Sequence, residues 1–151
     1  MKLSGQTELE GTPEEIFKSL LDPLILRRSI PGCESLEETA PSTYEITVKA
    51  GIGSVRGTFK GEVQLTDVVA PESYSMSVKG KSSVGHAEGG ASVKLEAQGE
   101  GDQTLTLIHY EGQAKVSGMI AAVGGRLVQV AAKKIAQQFF DKIGEELRAG
   151  S

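Results

Sequence analysis

The sequence predicts an α+β fold: a strongly curved antiparallel sheet wrapped around a long C-terminal helix, with an apolar cavity between them. Three observations predict it. From Tyr44 to Val116 apolar and polar residues alternate with a period of two, ladder after ladder, as in an antiparallel sheet with one wet face. From Ser117 the period becomes helical and holds to the end of the chain. Glycine is abundant, at 19 of 151 residues, and many glycines fall inside the strand-like segments rather than between them. Helices kept apart from a run of strands argue the α+β class. At this length residues 1–151 are expected to form one domain.

The elements follow in order. Leu3, Gly5, Thr7 and Leu9 alternate with Lys2, Gln6, Glu8 and Glu10, which predicts a first strand over 2–10. Thr12-Pro13-Glu14-Glu15 is a helix start: Thr12 can cap, Pro13 fits the first helical position, and the two glutamates meet the positive end of the dipole. That helix should run to about Leu21 and bury Ile16, Phe17, Leu20 and Leu21. Asp22-Pro23 restarts a short second helix through Leu24, Ile25 and Leu26, and Ile30-Pro31-Gly32-Cys33 ends it in a turn.

The middle is read as strands. Their inward sets are Tyr44, Ile46 and Val48; Val55 to Leu65 at every second residue; Tyr74, Met76 and Val78; Ala91 to Ala97; and Ile108 to Val116. Turns are expected at Ala40-Pro41-Ser42, Ala70-Pro71-Glu72-Ser73 and Gly99-Glu100-Gly101-Asp102. In the last segment Val123, Leu127, Ala131, Ile135, Phe139, Ile143 and Leu147 recur every four residues, broadened by Ile120, Val128 and Phe140. This predicts one amphipathic helix of about 30 residues, ~45 Å long, from near Gly118 to Arg148. It has to lie along the sheet.

The glycines suggest what lies between the two. Gly57, Gly61, Gly89, Ala91, Gly112 and Ala114 interrupt the inward ladders, and Gly124-Gly125 interrupts the helical stripe at a propensity cost of roughly 2 kcal/mol. Either they bend the sheet, or their missing side chains leave room for a ligand; the two are compatible. The candidate lining is Tyr44, Phe59, Gly61, Met76, Ala91, Tyr110, Gly112, Ala114, Gly124 and Leu127. The bland alternative is that the large residues of this set are plain core. The sharper one is that they line an apolar pocket in which tyrosine hydroxyls hydrogen-bond a carbonyl.

Composition narrows the function. The net charge is −4 with pI near 5.3, which does not suit a nucleic acid partner. The single cysteine, Cys33, cannot form an intrachain disulfide, which fits a reducing, cytoplasmic compartment. The start has no apolar core of a signal peptide, and no stretch reaches the roughly 18 apolar residues of a membrane span.

Catalytic and metal constellations are hard to assemble. His86 and His109 are far apart, and with one cysteine they give no zinc spacing. His109 falls out of the inward phase, and His86 sits in Ser83–Gly89, read as a turn or strand edge. Gly51–Gly57 has no Lys-Ser/Thr and no following helix, so it reads as a hairpin turn rather than a phosphate loop. Cys33 reads as a packed thiol, and Arg27-Arg28 as a solvated helix end.

Thr12-Pro13-Glu14-Glu15-Ile16-Phe17, Leu21-Asp22-Pro23, Ile30-Pro31-Gly32-Cys33-Glu34, Tyr44–Val48, Gly57–Gly61 and Val116-Ser117-Gly118 together resemble the carbon monoxide dehydrogenase G-subunit (CoxG) family. That family lies in the START/Bet v 1-like superfamily, with its helix-grip fold. The resemblance covers nearly the whole chain, and the Ile-Pro-Gly-Cys stretch is its more specific part. It implies a hydrophobic cavity, a quinone-type lipid ligand such as menaquinone, and a molybdenum CO dehydrogenase or related hydroxylase as partner. It also implies a location in the cytoplasm or at the inner face of the membrane. Many family members continue into a linker and membrane-binding tail, whereas this sequence stops at Arg148-Ala149-Gly150-Ser151. The charged outer helix face then predicts a chain that does not sediment with liposomes.

The expected function is therefore a non-enzymatic binding protein, without cofactor or metal, for an apolar small molecule or lipid. The rivals are a cyclase or hydrolase of the same fold, using Tyr44 or His86 as acid, and an interaction module in which the cavity is incidental.

Overall fold

The structure, a computed structural model, describes residues 1–99 and 104–150. The first strand, β1 (Lys2–Glu10), is followed by two short helices, α1 (Pro13–Leu20) and α2 (Pro23–Ser29). Six strands come next: β2 (Cys33–Ala40), β3 (Thr43–Ile52), β4 (Val55–Val69), β5 (Ser73–Ser82), β6 (Gly85–Gln98) and β7 (Leu105–Ser117). A 3-10 turn (Ala121–Val123) leads into α3 (Gly125–Ala149).

The helix starts behave as their residues dictate. Thr12 Oγ1 accepts from the Glu15 amide at 3.1 Å with Pro13 in the first position, and Asp22 Oδ1 caps α2 at the Leu24 amide at 2.9 Å.

All neighbouring strands pair antiparallel in one seven-stranded sheet, ordered β1-β7-β6-β5-β4-β3-β2. Strands β2 to β7 form a meander, and only β1 leaves chain order. It pairs with β7 at one edge, and α1–α2 then carry the chain to β2 at the other edge. The two short helices thus bridge the edges of a curled sheet, and α3 fills the groove.

Several expectations need correction. The long helix starts at Gly125, not near Gly118, and has 25 residues, or about 37 Å. Gly118 and Gly124 have φ of +85° and +105°, a left-handed backbone that cannot propagate a right-handed helix. Gly124-Gly125 therefore stands at the helix start, and most of the propensity cost assigned to it does not arise.

Strand β2 is an added element, in a stretch between two expected turns to which the sequence assigned no structure. Its pairing with β3 shifts register between Cys33 and Ser35 and again between Glu38 and Ala40, which spoils the period-two pattern. Within Ser83–Gly89, read as a turn or strand edge, Ser83-Val84 form the turn and β6 starts at Gly85. The turns at Pro41-Ser42 and Ala70–Glu72 are present, while Glu100, Gly101 and Asp102 of the third lie outside the described residues.

The core occupies one end of the groove. Leu9, Ile16, Phe17, Leu20, Tyr74, Val93, Leu95, Ile108, Phe140 and Ile143 pack there, with Ile16, Ile108 and Ile143 fully buried. Gly144 lets α3 approach β1, its missing Cβ lying 3.2 Å from a Leu9 methyl. Thr106, also fully buried, donates its hydroxyl to the Gly11 carbonyl at 2.9 Å. The other end of the groove is built differently.

Candidate functional site

The register sets side chains in rows across the inner face of the sheet. One row is Ile46, Gly61, Gly80, Ala87 and Val116; the next is Tyr44, Val63, Val78, Gly89 and Ala114. The third is Leu65, Met76, Ala91, Gly112 and Leu3, and the fourth is Tyr74, Val93, Tyr110 and Gly5. Toward the N-terminal half of α3 these rows are dominated by small residues. The helix matches them, presenting Val128, Ala131, Ala132, Ile135 and Ala136. Small residues meeting small residues leave a cavity of about 570 Å³.

The wall of the cavity is apolar almost throughout. Phe59, Met76, Val48, Ile52, Leu36 and Leu26 line it, with Ile30 and Pro31 from the end of α2 and Phe139 from α3. Among the described residues no histidine or acidic side chain is in the lining, and Lys79 on its border belongs to the outward phase and is exposed. Tyr44 and Tyr74 are the hydroxyl-bearing side chains on the wall, and the Tyr44 hydroxyl is engaged by the Glu38 carboxylate. Burial pushes both tyrosines above their ordinary range; for Tyr44 the neighbouring Glu38 carboxylate adds to the effect.

An aromatic floor separates cavity from core. Tyr74, which lines the cavity, meets Phe17 edge-on at 5.7 Å between ring centres. Phe139, also on the wall, meets Phe140 at 5.1 Å, and Phe140 stacks on Tyr110 at 5.3 Å. The remaining aromatics, Tyr44 and Phe59, line the cavity itself, so all four Phe and three Tyr serve the cavity or its floor.

The candidate residues therefore divide. Tyr44, Phe59, Gly61, Met76 and Ala114 stand on the cavity wall. Tyr110 lies beneath it, stacked on Phe140. Ala91 and Gly112 pack against each other in the sheet: a Cβ at Gly112 would lie 2.6 Å from the Gly90 carbonyl oxygen and 3.0 Å from Ala91 Cβ. Gly124 opens α3 with nothing within 4 Å of its missing Cβ. Leu127 is 53% exposed, and Val128 takes its place inside, because a four-residue repeat drifts around a helix of 3.6 residues per turn.

The glycines act by bending the sheet. A Cβ at Gly61 would collide with the Lys79 carbonyl oxygen, and one at Gly89 with that of Gln113. In a flat strand a Cβ points away from its neighbours; here the coiling aims it at the adjacent backbone. Gly80 differs, since a Cβ there would meet only Phe59 and Lys60, the Phe59 Cβ at an ordinary 3.8 Å. The curvature made by the other glycines is what opens the groove.

Ala132, Ala136, Gly80 and Val78 line the cavity without having been among the expected lining residues. The signal for the first two was present, as alanines one residue after the marked positions of the helical stripe.

The groups weighed for catalysis point elsewhere. His86 and His109 are on the outer face of the sheet, His109 beside Glu96 at 3.4 Å. Cys33 is half-buried and donates to the Ser35 carbonyl at 3.4 Å. Burial raises its thiol pKa, with the Arg27 charge and that hydrogen bond acting against the shift. The described residues bring no three His, Cys, Asp or Glu side chains together as metal ligands.

Comparison with known proteins agrees with this architecture. The family model for the carbon monoxide dehydrogenase G-subunit (CoxG) matches residues 5–148. A conserved protein from Geobacillus kaustophilus, solved by crystallography, is 32% identical over 99% of this chain and 96% of its own, with a TM-score of 0.91. A START superfamily protein from Mycobacterium smegmatis shares the fold at a TM-score of 0.72 and 14% identity, covering 99% of both chains. The ZhuI aromatase/cyclase from Streptomyces sp. R1128 shares it at 0.62 and 9%, over 98% of this chain and 93% of its own. No curated protein sequence matches the chain.

Proposed function

The chain belongs to the CoxG family, named for the G-subunit of carbon monoxide dehydrogenase, and from that premise we propose that it is a non-enzymatic carrier of an apolar ligand of quinone or lipid type. Family and fold support a hydrophobic-ligand role. The observation that carries the finer reading is the cavity: about 570 Å³, within the range of small-molecule sites, with a wall that is almost entirely hydrocarbon. Each methylene transferred into it contributes about 0.8 kcal/mol, so an isoprenoid or acyl chain gains affinity simply by its length. The Tyr74 hydroxyl is the group suited to a ligand carbonyl, since that of Tyr44 is engaged by Glu38.

The partner in this reading is a molybdenum CO dehydrogenase-type hydroxylase. The protein would link it to membrane electron transport from the cytoplasm or the inner face of the membrane. No described helix is long and apolar enough to cross a bilayer.

A cyclase-type reaction is the second reading, since an aromatase/cyclase shares the fold. The lining favours binding over it: acid–base work needs a group facing the ligand that titrates near the working pH, whereas the histidines face outward and burial raises the pKa of both lining tyrosines further from neutrality.

Mass spectrometry of an organic extract from purified protein tests the proposal. A stoichiometric quinone or isoprenoid lipid is the expected result. A polar ketide, or conversion of one on incubation, would favour the enzyme.

A further inference from the structure

The exposed face of the first half of α3 is unusual for a surface. Leu127 is 53% exposed, Val130 60% and Ile135 42%, and Met119 in the loop before the helix is 60% exposed. At 100° per residue Leu127 and Val130 are neighbours. Ile135 lies on the side of Leu127 toward the cavity, which it also lines. Arg126 and Lys133 lie on the far side, with Lys134 between Leu127 and Val130. The order around the helix is thus cavity lip, a strip of Leu127 and Val130 with Lys134 between them, then Arg126 and Lys133.

The charge here is also one-sided. Between Glu111 and Asp141 there is no acidic residue, while Arg126, Lys133 and Lys134 of α3 are all exposed. In a chain of net charge −4 this is a local reversal. None of Arg126, Lys133 and Lys134 is in an ion pair among the described residues. Uncommitted cations flanking exposed Leu and Val, with a small-residue loop beside them, are the pattern of a helix that lies in a headgroup layer. A second copy of the chain would bring the same cations against these and be repelled.

We propose that the Met119 loop and the Leu127–Val130 face of α3 dock on an anionic lipid surface, with the Ile135 lip of the cavity turned toward the bilayer. This rests on the peripheral location in the proposed function and names the face responsible. It reverses the expectation of no liposome binding, which had Leu127 buried and a wholly polar outer face. Phosphate headgroups attract the cations, the apolar side chains enter between them, and the cavity wall becomes continuous with the hydrocarbon.

The test is co-sedimentation of the purified chain with vesicles of phosphatidylcholine alone or mixed with phosphatidylglycerol. Binding is expected on the mixed vesicles, with loss at high salt. Lys133→Ser and Lys134→Ser should each weaken it about fivefold, following from about 1 kcal/mol per cation near an anionic surface. The double change Leu127→Ser, Val130→Ser should weaken it roughly tenfold without altering the thermal melt, since both positions are exposed. Equal binding to both vesicle types, no binding to either, or binding unchanged in both sets of variants would overturn the proposal. The lipid extracted from the same preparations reads the cavity separately. Extracted quinone with no vesicle binding sinks the docking face alone, and vesicle binding with an empty extract sinks the ligand reading alone.

Discussion

Gly5 and Tyr110 stand opposite each other in the β1–β7 register, and a Cβ at Gly5 would lie 2.5 Å from the Tyr110 hydroxyl oxygen. The tyrosine ring lies across the glycine and stacks on Phe140 at 5.3 Å, fixing the floor beneath the cavity. The missing side chain on an edge strand is therefore what allows the aromatic floor to close.

Gly5→Val should displace the Tyr110 ring and destabilise the fold by about 1–3 kcal/mol, as overpacking does. Because the obstacle is one side chain, Tyr110→Ala should remove part of that penalty. A double-mutant cycle in chemical denaturation should give a coupling of at least ~0.5 kcal/mol. Additive effects would mean that Gly5 serves backbone geometry instead.

Gly112 and Ala136 should respond in opposite ways to enlargement. Gly112→Leu drives a side chain into the Gly90 carbonyl and Ala91, so it should lower stability by about 1–3 kcal/mol or more. Ala136→Phe points into the cavity, so it should leave stability within about 1 kcal/mol of the parent and displace the extracted ligand. Thermal melts paired with lipid extraction check both. A large loss of stability in Ala136→Phe would show a cavity too narrow for a ligand.

Tyr74 predicts an alkaline weakness. Burial raises its folded pKa above the ordinary 10.0, so the folded state holds the proton more tightly than the unfolded state. The resulting stability is complete below pH 10 and declines as pH rises above it, by up to about 1.4 kcal/mol per pH unit. Tyr44, shifted the same way, adds to the slope. Urea denaturation at pH 8 to 11 should show the decline, and Tyr74→Phe should make it shallower. An unchanged slope in that variant would assign the effect to other groups.

Ser29, 2% exposed at the end of α2, has no hydrogen-bond partner for its hydroxyl among the described residues. Ser29→Ala removes a buried polar group that gains nothing, and should raise stability by about 1 kcal/mol. A loss instead would reveal a bound water or ligand atom at that hydroxyl, and the extract from the variant would tell which.

Fold class, most of the elements and the inward face of every strand but β2 were legible in the order of residues alone. Those follow from local rules: alternation in strands, caps at Thr12 and Asp22, and a helical stripe ending at Leu147. The same rules marked Tyr44, Phe59, Gly61, Met76 and Ala114, since strand phase alone sends these inward. Packing settled the rest. Strand β2 was hidden because two register shifts erase its period. The helix start was hidden because a left-handed glycine and a helical one look alike in sequence. Leu127 and Val128 are one residue apart, and only the sheet beneath selects which is buried, since an apolar stripe wide enough for either fits both. With the glycines, the residue order says that side chains are missing from the inner ladders, but not whether the volume is left empty or taken by a neighbouring strand. At Gly61, Gly89 and Gly112 the adjacent backbone took it. The cavity exists because the sheet, freed of those Cβ atoms, could curl away from a helix whose facing residues are largely alanines.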